Sequence, residues 1–140
     1  MIDKERDVKI RILLLFEYYK RLYGQSENPE MHFYVIPELK DIDNQIIEAN
    51  AIYLIDENLV RGGVDEAGSH SFPCITRINS TGMKLVERIV EESESKIPEL
   101  QEELKNKTST QEKVLGFISY CFKFKDIPMG ILDIAKDIVL

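Results

Sequence analysis

The chain has 140 residues, a formal net charge of −7 and 44% hydrophobic side chains. That is the size of about one domain, with enough apolar content for an ordinary core, and it excludes a disordered tail or linker. No apolar run approaches the roughly 20 residues of a membrane-spanning helix.

The acid excess is uneven. Residues 1–92 carry a net charge of −6 and residues 93–140 a net of −1. Lys and Arg contacts to phosphates supply most non-specific DNA affinity, so this balance counts against strong DNA binding. The opening Met1–Asp7 alternates acid and base, unlike a leader peptide, and a cytoplasmic protein is expected. Cys74 and Cys121 lie far apart without a CxxC pattern. They are expected to be reduced thiols, with a disulfide as the alternative.

From Asp3 or Lys4 to Tyr23 the spacing predicts a long helix. Val8, Ile12, Leu15, Tyr19 and Leu22 form one stripe, and Ile10, Leu14 and Tyr18 a second. Leu13 and Phe16 add to them, so the helix is apolar round most of its middle. That calls for a second packing partner, either the C-terminal helices or another subunit. Gly24 is placed to end it. A polar loop, Gln25–Glu30, leads to His32–Ile36, which suits a short strand. Pro37–Ile42 then gives barely more than one helical turn, with Pro37 at its first position.

Asp43 or Asn44 caps a helix running to Glu57, with Ile47, Ala51, Leu54 and Ile55 on one face. A tight turn follows at Glu57-Asn58-Leu59. Leu59–Val64 reads as a strand with a glycine irregularity, Asp65–Ser71 as a turn, and Pro73–Asn79 as a second strand. Asn79 then caps a helix with Met83, Val86 and Val90 on one face.

This order reads as α+β, mostly helical, with a winged helix-turn-helix core over residues 1–92. Two stretches strengthen the reading. Ile78-Asn79-Ser80-Thr81-Gly82-Met83-Lys84-Leu85-Val86-Glu87 resembles the I-T-x-x-G-x-x-hydrophobic-hydrophobic-E end of many small bacterial and archaeal winged-helix proteins. Ala49–Gly63 is similar to the A-L-x-Y-L-x-x-x-G-L-I-x-G that precedes their wing. The resemblance covers residues 5–92 and implies the fold more than the function. The chain departs from DNA-binding members in two ways. Its recognition helix has no Lys or Arg, and its wing is nearly neutral.

Residues 93–140 are expected to form a helical extension for packing or dimerisation. Glu91–Lys107 is polar, with a thin line of Ile97, Leu100 and Leu104, and forms either a tether or a helix restarting after Pro98. Ser109 with Glu112 matches a capping box for a helix to about Lys125. A last helix, Pro128–Leu140, is strongly apolar, and such a tail is normally docked.

Two functions are weighed. The first is an accessory or regulatory winged-helix protein acting through protein–protein contact as a dimer, with Leu14, Tyr18, Phe117, Phe122, Ile131, Ile134 and Ile138 as interface candidates. The alternative is a DNA-binding transcriptional regulator, with Gln45 and Asn50 reading bases and Arg61, His70 and Arg77 touching the backbone or minor groove. No enzyme signature, cofactor motif or regular metal spacing stands out. His70 and Cys74, with His32 elsewhere, fall short of the four ligands zinc prefers.

Overall fold

A computed structural model describes residues 3–33, 36–123 and 126–138. The fold is α+β and mostly helical. Helix α1 spans Lys4–Leu22, a short 3₁₀ turn Pro37–Leu39, and α2 Asn44–Asp56. Strands β1 (Val60–Ala67) and β2 (His70–Ile78) follow, then α3 (Ser80–Lys96), α4 (Pro98–Leu104), α5 (Thr110–Phe122) and α6 (Met129–Asp137).

Two compact units divide the chain. One is Ile10–Met83; the other joins the described residues up to Lys9 with those from Lys84 onward. The division falls inside α1 and α3, not at residue 92.

In α1 the Asp3 carboxylate accepts the Arg6 amide at 3.0 Å, capping the first turn. The helix stops where Gly24 takes φ +69°. The Gln25 amide reaches back to the Lys20 carbonyl at 2.8 Å and the Gly24 amide to that of Arg21 at 3.3 Å. These two bonds satisfy carbonyls the helix end would leave orphaned. Val8, Ile10, Ile12 to Phe16, Tyr18 and Tyr19 are all buried, so α1 is covered on every side of its middle.

Helix α2 begins at Asp43, whose carboxylate accepts the Gln45 amide at 2.8 Å. It ends at Asn58, held at φ +58°, a conformation Asn tolerates better than most residues. The Asn79 side-chain amide donates to the Asn58 carbonyl at 2.6 Å, and its oxygen accepts the Gly82 amide at 2.9 Å. One residue therefore caps α3 and pins the turn before β1.

The hairpin is longer than its composition suggests. Asp65, Glu66 and Ser71 belong to strands, and the connection shrinks to Gly68-Ser69 between the paired Ala67 and His70. Gly68 at φ +64° supplies the positive first position such two-residue turns need. The Ser71 hydroxyl donates to Glu66 across the strands, keeping two turn-like residues in register. The register slips between Arg61 and Gly62. The strand expected over His32–Ile36 is not seen among the described residues. Phe33 lies in a helical turn, and Tyr34 and Val35 lie outside the description.

In the C-terminal unit the polar stretch does restart as a helix, α4, with Leu100 and Leu104 buried. Ser109 caps α5 by accepting the Glu112 amide at 3.1 Å, while the Glu112 carboxylate turns to the Thr108 amide at 3.4 Å. Helix α5 ends at Phe122, before the expected Lys125, which lies outside the description. Helix α6 spans Met129–Asp137, within the expected Pro128–Leu140, and buries Ile131, Leu132, Ile134 and Ala135.

Candidate functional site

Helix α2 and the hairpin frame the surface with the most chemistry. The inward positions of α2 include two polar residues, Glu48 and Asn50, beside Ile47, Ala51 and Leu54. Asn50 accepts from Arg11 Nε at 2.8 Å and donates to the Ile46 carbonyl at 2.9 Å. The Arg11 guanidinium also lies over the Tyr53 ring, 3.6 Å from its centroid. Asn50 is thus a clamp between α1 and α2, and base reading is closed to it in this arrangement. Gln45 is exposed on the first turn of α2.

Glu48 is buried, and its carboxylate meets His70 Nε2 at 3.1 Å. A buried carboxylate is costly without partners, so this bond ties the hairpin tip to α2. His70 in turn stacks on Phe72 at 4.1 Å between ring centroids. A shallow hollow of about 270 Å³ lies here, lined by Gln45, Glu48, Ala49, Ile52, Ser69, His70 and Ser71. His32 sits nearby and hydrogen-bonds to the Pro73 backbone. Burial lowers its pKa from the usual 6.5, with Arg21 adding to the fall, while the Pro73 carbonyl and Glu48 oppose it.

Arg61 and Arg77 face each other across the base of the hairpin as directly paired residues, both exposed. Neither has a carboxylate within ion-pair distance among the described residues. Like charges directly opposite are unfavourable. Of the residues expected to touch DNA, Gln45, Arg61 and Arg77 are exposed, His70 is half-buried against Glu48, and Asn50 is buried.

The expected interface residues are mostly interior. Leu14, Tyr18, Phe117, Ile131, Ile134 and Ile138 are buried within this chain, and Phe122 is half-buried. Burial pushes the Tyr18 phenol up to about 12, partly opposed by Arg21, whose guanidinium lies 4.6 Å from the ring centroid. The large apolar side chains left exposed are Leu22, Met31, Phe72 and Met129 among the described residues. Leu22 was expected on the inward stripe of α1, but it is the helix's last residue and stays open to solvent. Met31, Phe72 and Met129 did not stand out in the sequence, where each is an isolated apolar residue in polar or aperiodic surroundings.

The C-terminal unit holds a hollow of about 380 Å³ lined by Asp3, Glu5, Arg6, Lys9, Asp126, Ile127, Met129 and Leu132. Two of its charges pair with each other, Lys9 with Asp126 at 3.0 Å, and Glu5 pairs with Lys136, outside the lining, at 3.5 Å. No group of three or more His, Cys, Asp or Glu side chains is placed to hold a metal among the described residues, and no described helix is long and apolar enough to cross a membrane. No family model, curated protein or solved structure matches the chain.

Proposed function

We propose that this chain is an accessory or regulatory protein of the winged-helix class that works through protein–protein contact as a dimer. The order of a short turn, α2, hairpin and α3 supports the class, as do the Asn79 cap and the Asn58 turn. The observation that carries the function is the chemistry of α2. The helix that would enter a DNA groove has no basic side chain, turns Asn50 inward and buries the acidic Glu48. Its remaining exposed charges, Asp56 and the following Glu57, would meet phosphates unfavourably. Fluorescence anisotropy with random duplex DNA, titrated with salt from low ionic strength, tests this. The expected result is no salt-dependent binding. A steep loss of affinity with rising salt would overturn it.

The alternative, a DNA-binding regulator, draws on the exposed Arg61–Arg77 pair, two cations at one place on an otherwise acidic hairpin. In that reading Arg61→Ala and Arg77→Ala weaken binding about equally for all DNA sequences and flatten its salt dependence. Equal retention of wild type and both variants on DNA at low salt counts against it.

A further inference from the structure

We infer that the outer edge of β1 is the dimer contact, pairing antiparallel with β1 of a second copy about a two-fold axis at Gly63. The inference rests on the protein-contact reading above and names its partner and surface.

Pro73 shows which way the strand's backbone groups point. It has no N–H, and its backbone bonds to the His32 side chain, so its polar group faces away from β1. Its partner across the sheet, Val64, therefore sits at a pair that exchanges no hydrogen bonds. The Val64 amide and carbonyl point outward, and with a period of two so do those of Gly62 and Glu66. Among the described residues no third strand and no backbone bond from outside the hairpin reaches them. The side chains along β1 from Arg61 to Ala67 are exposed, apart from a half-buried Val64. The outer edge of β2 differs, because Pro73 removes a donor there and His32 covers its backbone. An open eight-residue edge is a template for strand addition.

Charge selects the occupant and the register. Outward residues must pair with outward residues, so a two-fold axis near the middle of β1 can fall at Gly62, Gly63, Val64 or Asp65, and an axis at Asp65 would set two Asp65 carboxylates against each other. With the axis at Gly63, Gly62 exchanges hydrogen bonds with Val64 of the second copy, twice over. Arg61 then stands opposite Asp65 of the second copy, and Asp65 opposite its Arg61. An axis at Gly62 sets Arg61 against Gly63, and an axis at Val64 sets it against Ala67, so neither makes an ion pair. The residue left over at the slip, Thr76, belongs to β2, so alternation along β1 carries through and sets Arg61 and Asp65 on the face opposite the buried Val60, with both pairs on the solvent side. The ion pair also gives Arg61 an acidic neighbour to offset Arg77. At the axis the two strands approach to about 4.5 Å between Cα atoms, where Gly63 brings no side chain. A self-complementary patch of this kind is what a closed two-fold dimer requires.

Sedimentation equilibrium of the full chain tests the proposal. The expected result is a concentration-dependent dimer, weak because one strand edge buries less than a standard interface. R61D and D65R should each weaken it about tenfold by replacing two attractions with two repulsions. The double variant R61D/D65R should restore it, which a merely misfolded single variant would not. In a C74S background, G63C should form an inter-chain disulfide on mild oxidation while keeping the native circular dichroism spectrum. A strict monomer at every concentration overturns the inference and leaves the protein-contact reading to a different partner. A dimer indifferent to the charge changes, with G63C staying reduced, also overturns it and moves the dimer contact to another surface.

Discussion

Arg11 and Asn50 are joined by a 2.8 Å hydrogen bond from Nε to Oδ1, and the same guanidinium packs on Tyr53 one helical turn along α2. The pair explains why a helix with a reading-competent amide does not present it. Asn50 is only 3% exposed, and both ends of its amide are engaged.

Asn50→Ala should therefore destabilise the fold by about 2 kcal/mol, because it leaves Arg11 Nε without its acceptor in a partly buried place. Urea denaturation measures it. A double-mutant cycle with Arg11→Met should show coupling above about 0.5 kcal/mol. Additive losses would mean that the two side chains contribute independently.

The two thiols should react very differently. Cys74 is exposed on β2, whereas Cys121 is buried in α5, and burial pushes its thiol up to about 12. A thiol-reactive disulfide reagent at pH 8 should label one cysteine at once in the native protein and the second only on unfolding. The rate of the slow reaction should rise with urea as the unit around α5 opens. Prompt labelling of both would show that α5 opens readily.

How far could the sequence be read? Local chemistry was legible. Gly24, Asp43, Asn79 and Ser109 each end or begin a helix through a side chain or dihedral that a few neighbouring residues decide. The α1 stripe was legible too, because nine or more apolar positions on one helix leave few alternatives. Long-range pairing was not. Asp65, Glu66 and Ser71 have turn composition, and only the cross-strand register places them in strands. Asn50 reads as a polar surface position until Arg11, 39 residues earlier, is brought against it. The same limit applied to the interface candidates, since periodicity shows that Leu14 or Ile131 is buried but not by what.

Stability should fall on the acid side of neutrality through His32. Burial lowers its pKa in the fold below 6.5, so above 6.5 both folded and unfolded chains hold it neutral and nothing is lost. Below 6.5 the unfolded chain takes up the proton first, so stability drops as pH falls toward the folded value. Urea midpoints measured from pH 7.5 down to 5.5 should decline in the wild type. The decline should be shallower in His32→Gln, which keeps a donor for the Pro73 backbone without titrating. Equal slopes would assign the acid sensitivity to other groups.

Two adjacent glycines in β1 should respond differently to the same substitution. A Cβ on Gly62 would lie 2.1 Å from the Cys74 carbonyl oxygen, a backbone atom of the paired strand that cannot swing aside. Gly62→Ala must therefore push the strands apart beside the register slip, at a cost of about 1–3 kcal/mol. A Cβ on Gly63 meets nothing within 4 Å, so Gly63→Ala should stay within about 0.5 kcal/mol of wild type. Gly82→Ala should behave like Gly62→Ala, since its Cβ would fall 2.1 Å from the Leu59 carbonyl oxygen, where α3 starts against the chain entering β1. Thermal melts of the three variants separate the cases. Similar stability for Gly62→Ala and Gly63→Ala would mean that the hairpin yields at its slip, and that the close approach of β2 is not what demands glycine there.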